Sequence, residues 1–203
     1  MGKEIYIDIG HGKSISGRYD PGAVSPRTGA RENDIAMNVG KRLGHLLRAK
    51  GFKTSGVALA ADKDNESLVE AVHNANAADC DLFVSIHCNS FHSDRANGFE
   101  VLYTSAHGRE AATAVVMEVA YQIQGGESKW LSYPLRIKNR GAKRRTDLYV
   151  LNETIMPAIL VELLFISNEQ DEWALHDRYI RQALAQAVAD GISKYFGEKE
   201  RGI

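Results

Sequence analysis

Three polar residues stand where three separate apolar runs end. His11 follows Ile5-Tyr6-Ile7-Asp8-Ile9-Gly10, His87 follows Leu82-Phe83-Val84-Ser85-Ile86, and Glu162 follows Ala158-Ile159-Leu160-Val161. A fourth, Glu32, opens a helical stretch directly after the loop that begins at His11. Two imidazoles and a carboxylate converging on one point form the three-ligand set that leaves zinc a fourth position for water. His11, Glu32 and His87 are therefore the candidate metal ligands. Glu32 has a second reading, because a glutamate in a first helical turn commonly complements the helix dipole. Glu162 interrupts the apolar run from Ile159 to Phe165, where an unpaired charge is costly. Burial raises such a carboxyl's pKa and a nearby cation lowers it, which makes Glu162 a candidate general base. Its competing reading is a core ion pair with an arginine.

The elements that must position these residues are legible in outline. Apolar runs at residues 4–9, 52–59, 82–87, 98–103, 148–151 and 158–163 read as strands. Helical periodicity marks residues 32–50, 66–78, 108–124 and 178–196, with a capping box at Ser167-Asn168-Glu169-Gln170 opening a further short helix. The loop from Gly10 to Gly29 is long for a strand-to-helix connection, as functional loops often are. Residues 127–147 are polar and basic, with no clear period. This alternation predicts an α/β fold: a single three-layer domain, with a mostly parallel twisted sheet and helices on both faces. Chemistry in such sheets gathers beyond the carboxyl ends of the strands, where His11, His87 and Glu162 fall.

Composition narrows the function classes. The chain has 203 residues, 44% of them hydrophobic, which suits one well-packed domain. Residues 1–197 are expected to form it, with 198–203 a charged tail that could open a linker. A formal net charge of −1 gives no drive toward nucleic acid or acidic membranes, and no run has transmembrane length. The first residues lead straight into a strand, so no secretory signal is expected and synthesis in the cytoplasm is implied. Cys80 and Cys88 cannot make a disulfide framework. Cys88 also cannot pair with His87 as a nucleophilic dyad, since adjacent strand residues face opposite sides. There is no Gly-x-Ser-x-Gly elbow and no phosphate-binding glycine loop. His45, His73, His107 and His176 read as surface or packing residues, while His92 lies in the loop just after His87. The basic residues between Arg136 and Arg145 read either as a solvated surface or as a grip for a substrate carboxylate.

At these residues the sequence resembles the zinc-dependent N-acetylmuramoyl-L-alanine amidases. Ile7-Asp8-Ile9-Gly10-His11-Gly12 with Asp20-Pro21-Gly22-Ala23 is similar to the family's opening motif, and Glu32 fits its second ligand. Ser85-Ile86-His87-Cys88-Asn89 is similar to the third-ligand motif, and Leu160 to Asn168 to the segment carrying the catalytic glutamate. Ala75-Asn76 and Leu148-Tyr149-Val150-Leu151 correspond to further family segments. Two positions depart from the pattern: Ala71, where an arginine is common, and Leu164, where glycine is usual. The resemblance runs from Ile5 to Tyr195. It implies one Zn²⁺ ion, bacterial peptidoglycan as substrate, and cleavage of the amide between N-acetylmuramic acid and L-alanine. It further implies Glu162 as base and then acid. Asn89, Arg140 and Arg144 are the candidate stem-peptide contacts. A monomer that acts on the cell wall after phage or mother-cell lysis is the expected setting. The alternatives are a metallopeptidase within the stem peptide and a non-catalytic wall-binding module.

Overall fold

The structure, a computed structural model, describes residues 2–56, 66–132 and 134–200, with backbone only at 198–200. Its strands are β1 (Glu4–Ile9), β2 (Gly12–Lys13), β3 (Tyr19–Asp20), β4 (Lys53–Ser55), β5 (Leu82–Asn89), β6 (Phe99–Tyr103), β7 (Asn139–Arg144) and β8 (Ala158–Phe165). Its helices are α1 (Glu32–Ala49), α2 (Leu68–Ala77), α3 (Ala106–Val119), α4 (Tyr149–Asn152), α5 (Glu169–His176) and α6 (Arg178–Glu200). Strands β4, β1, β5, β8, β6 and β7 form one sheet in that order. All neighbours run parallel except β8 and β6. The expected three-layer α/β architecture is present. The antiparallel placement of β6 brings the amino end of that strand to the carboxyl end of β8.

Central strands buried on both sides read as unbroken apolar runs, and β1, β5 and β8 do. The two sheet faces nevertheless differ. One is apolar along its length and packs beneath α1, α3 and α6, in a core that includes Ile7, Val84, Ile159, Val161, Leu43, Val115 and Leu184. The other buries a smaller cluster, Tyr6, Phe83, Leu102 and Leu160, with α2 and the single turn α4. Because side chains alternate along a strand, Asp8, Ser85, His87, Glu162 and Glu100 share this second face with that cluster. Apolar packing thus holds one half of the face, and a row of polar groups occupies the other.

Four local readings change. The apolar run 148–151 is helical rather than a strand: Tyr149–Asn152 make one turn that buries Val150 and Leu151 against the smaller cluster. So short an apolar run has no periodicity to separate the two states. The aperiodic segment 127–147 contains strand β7, whose polar side chains reflect its place at the sheet edge. The strand expected at 52–59 is observed over Lys53–Ser55, and residues 57–59 lie outside the described residues. The cap of α5 is Asn168, whose side chain accepts from the Asp171 N–H, while Ser167 accepts from the Phe91 N–H instead. A full capping box is found at α2, between Ser67 and Glu70.

The long loop after β1 is tied down along its length. β2 and β3 make a small hairpin in it, Lys13 pairs with Glu70 at the start of α2, and Arg27 and Thr28 bind the buried Glu172 of α5. On the apolar side, α6 crosses α3 at Gly191, where an added Cβ would lie 2.5 Å from the Val115 Cα. Neither backbone can yield cheaply at that distance. Gly191→Ala should therefore destabilise the fold by about 1–3 kcal/mol despite alanine's better helix propensity. Gly197→Ala, with nothing within 4 Å of the new methyl, should not lower the melting temperature. Thermal unfolding of both variants tests whether this crossing sets the helix spacing.

Candidate active site

Three segments converge above the carboxyl ends of β1 and β5. β1 stops at Gly10, whose N–H donates to the Ile86 carbonyl and whose own carbonyl accepts from Asn33 Nδ2. An added Cβ at Gly10 would lie 2.3 Å from His87 Cε1, so only glycine leaves room for the second imidazole here. His11 then adopts a left-handed backbone conformation, φ 64°, which is costly for a side-chain-bearing residue and typical of functional sites. Its Nδ1 lies 2.9 Å from Asp20 Oδ2, and Asp20 Oδ1 accepts from the Gly22 N–H. This carboxylate–histidine pairing orients the imidazole and aims Nε2 inward, as outer-shell partners of metal ligands do.

Glu32 is the meeting point. It lies buried at the first position of α1, and its two oxygens divide their partners. Oε2 is 3.2 Å from His11 Nε2 and accepts from the Ala23 N–H; Oε1 is 2.9 Å from His87 Nδ1 and accepts from the Cys88 N–H. The turn at 21–23 in turn caps the helix: the Glu32 and Asn33 N–H groups donate to the Ala23 and Pro21 carbonyls. Glu32 thus does more than complement the helix dipole. Burial alone would raise its pKa, but the two imidazoles outweigh this and hold it well below the usual carboxylate range. Conversely, the hydrogen bond to Glu32 lifts His11 to about 9. Burial pushes His87 down, yet the Glu32 and Glu162 carboxylates together raise it.

One ligand atom from each of His11, Glu32 and His87 can be chosen so that all lie within 4.8 Å of one another. Gly22, at φ 67°, walls this space: a Cβ there would fall 2.6 Å from His11 Cδ2 and 2.7 Å from Glu32 Oε2. A donor set of two imidazoles and a carboxylate, cradled where no methyl fits, suits a divalent metal ion.

Glu162 flanks the group. Its Cα partners are His87 on β5 and Glu100 on β6, which places it between them on the polar half-face. Its Oε2 is closed to solvent and has no hydrogen-bond partner among the described residues. Burial is the main cause of a pKa pushed up to about 7, with the Glu32 and Glu100 charges adding and His87 opposing. Among the described residues no arginine ion pair satisfies it. A cleft of about 700 Å³ opens on the other side of the histidines, walled by Ile15, Leu68, Leu148, Tyr149 and Val150, with Asp8 lining it. Asp8 is buried and accepts from the Ser85 hydroxyl.

Of the expected stem-peptide contacts, Asn89 donates to Glu100 Oε1 at 2.7 Å and Arg140 to Glu100 Oε2 at 2.8 Å, so both stand beside Glu162. Arg144 does not join them. It pairs with Tyr103 at the far end of β7 and donates to the Thr104 carbonyl. His92 is exposed and packs on Phe91. Two residues escaped the sequence reading. Asp20 sits in an aperiodic loop and offered no signal beyond its place in a family motif. Glu100 did carry one, a carboxylate inside the apolar run Phe99–Tyr103, the same mark that distinguishes Glu162.

A mostly parallel sheet with a His–Glu–His group toward the carboxyl ends of β1 and β5 and a buried carboxylate within β8 describes a metal-site hydrolase. The chain belongs to the N-acetylmuramoyl-L-alanine amidase family, whose model matches residues 5–194. It is 33% identical over 97% of its length to the uncharacterized protein YqiI of Bacillus subtilis (strain 168), covering 86% of that protein. The N-acetylmuramoyl-L-alanine amidase LytC of the same organism is also 33% identical over 97% of this chain, which spans only 36% of that longer relative. Among solved structures, N-acetylmuramoyl-L-alanine amidase AmiC2 of Nostoc punctiforme superposes with a TM-score of 0.80 at 31% identity, over 96% of this chain and 97% of that one.

Two outcomes follow from the geometry. Gly22→Ala should abolish divalent-metal binding measured by calorimetry, because the methyl collides with two ligands in a conformation alanine avoids; unaltered affinity would remove Gly22 from the cradle. The second concerns Glu162 in metal-free protein. Its folded pKa, about 7, exceeds its ordinary 4.5, so the native state binds the extra proton between these values and stability falls as pH rises through that window. Glu162→Gln should therefore be more stable than the parent at pH 8, by up to about 3 kcal/mol and with a higher melting temperature, the advantage being gone below pH 4. Equal melting temperatures at both pH values would show that Glu162 is not desolvated.

Proposed function

We propose that the protein is a zinc-dependent N-acetylmuramoyl-L-alanine amidase of the bacterial cell wall. Its substrate bond is the amide between the lactyl group of N-acetylmuramic acid and the L-alanine of the stem peptide. The observation that carries this reading is Glu162: a desolvated carboxylate with an unsatisfied oxygen, set beside a His–Glu–His group in a chain of this family. A wall-binding module has no use for so costly a group.

His11, Glu32 and His87 would hold the ion. When bound, zinc supplies Lewis acidity at the scissile carbonyl and makes water acidic enough to attack near neutral pH. The chain does the rest. Asp20 and the Ala23 and Cys88 N–H groups keep the ligands oriented, so little reorganisation is needed. Glu162 takes a proton from the attacking water and returns it to the leaving alanine nitrogen, which leaves as an amine. A carboxyl poised near 7 suits both transfers. The apolar cleft walled by Leu148 and Tyr149 offers one side of the bound substrate its contacts, and Asn89 and Arg140 border the other. All of these groups lie within residues 1–197 of one chain, so the proposed site needs no second copy. Among the described residues no helix is long and apolar enough to cross a membrane.

Mass spectrometry of digested peptidoglycan tests the assignment. New L-alanine amino termini with intact muramic acid are expected, lost on chelation and restored by zinc. New termini deeper in the stem would make the enzyme a peptidase on the same site. Glu162→Ala should lower turnover by about 10²–10⁴-fold while sedimentation with the wall persists. Undiminished lysis by that variant would remove Glu162 from the chemistry.

A further inference from the structure

Beyond Glu162, the polar half-face continues into a cluster to which the hydrolytic steps give no task. Glu100 is buried and binds three donors: Asn89 Nδ2 at its Oε1, and Arg140 Nε and the Lys143 ammonium at its Oε2. Arg140 occupies a bulge, since Phe99 pairs with Asn139 while Glu100 pairs with Gly141, at φ 80°. Bulges re-aim side chains, and this one turns Arg140 toward the site. The guanidinium is fixed further by the Asn97 carbonyl at 3.4 Å and by stacking on Phe165, 4.8 Å to the ring centroid. Arg140 is 23% and Lys143 42% exposed, so the cluster is open to a ligand. Arg140 and Lys143 thus keep donors beyond those that Glu100 takes up. Neither Nη2 of Arg140 nor the remaining ammonium protons have a partner among the described residues.

We infer that Glu100 is a positioning residue that presents Arg140 and Lys143 as a receptor for the free α-carboxylate of the second stem-peptide residue. This rests on the amidase reading above. Glutamate in that position is linked through its γ-carboxyl, so its α-carboxyl is left either free or amidated. The spacing fits. Neighbouring strands lie about 4.8 Å apart, which puts β7 about 10 Å from Glu162 on β8. A carboxylate one residue beyond the scissile nitrogen lies roughly 5–7 Å from it, and a long cationic side chain spans the remainder. The opposite cleft has Asp8, Asp20 and Glu66 in its lining against one lysine, Lys13, which Glu70 already pairs, beside His11 and His87 of the metal group. The two sides of the site therefore differ in charge, and the stem peptide lies toward β6 and β7.

An internal competition tests this. The zinc-loaded protein is given an equimolar mixture of two soluble muropeptides that differ only in having isoglutamate or isoglutamine at the second residue. The ratio of products gives the ratio of kcat/KM. The acid should be preferred by about 10- to 100-fold, the range for hydrogen bonds to a charged group. Lys143→Met, a partly exposed edge substitution, and Glu100→Gln should each shrink the ratio toward one, through a higher KM for the acid. Arg140→Lys, which keeps charge but loses the planar fork, should fall between. A wild-type ratio near one, or an undiminished ratio in Lys143→Met and Glu100→Gln, overturns the receptor while leaving the amidase intact. Cleavage of neither muropeptide nor intact peptidoglycan overturns both.

Discussion

The site depends on one buried carboxylate. Glu32 cannot be charged beneath the surface without cationic or donor partners, and it obtains them from two imidazoles and two main-chain N–H groups in separate parts of the chain. That requirement explains much of the surrounding backbone. The loop after β1 must double back to bring Ala23 against Glu32, β5 must deliver His87 and Cys88 together, and Gly10 and Gly22 must lack side chains to let the rings close in.

A second organising fact is the inequality of the sheet's faces. Helices α1, α3 and α6 seal one face with an apolar core that carries most of the buried surface. The other is sealed only as far as Leu160 and Leu102, where α2 and α4 end their cover. Stability and chemistry are thus assigned to different sides of the same strands. Asp171 joins the two sides at their rim: its Oδ2 accepts from the Gly98 and Phe165 N–H groups, fixing the start of β6 against the end of β8. Glu100 and Glu162 face each other because of that clamp, a like-charge pairing that strands avoid unless cations compensate it.

How much of this was legible in the sequence depended on contrast. His11, His87 and Glu162 stood out because each ends or interrupts an apolar run, and the structure brings them to one place. Glu32 was visible but ambiguous, since a first-turn glutamate looks the same whether it faces solvent or an imidazole. Asp20 was hidden within a loop without period. β7 was hidden for a different reason: an edge strand with a bulge has neither the alternation nor the apolar run that marks a strand. The stretch 148–151 had the run but not the pairing. Its two buried residues cap a core cluster equally well from a helical turn.

The bulged edge strand has a consequence for the molecule outside its substrate. A sheet edge with free N–H and C=O groups invites pairing with another chain, and proteins blunt such edges with charge and irregular backbone. Along β7, Arg140, Lys143 and Arg144 stand on a strand whose register already slips at Gly141. The cations beside the active site thereby also keep molecules apart. Neutralising them together to alter substrate choice would expose the edge to self-association, so selectivity and solubility are linked through one short stretch of backbone.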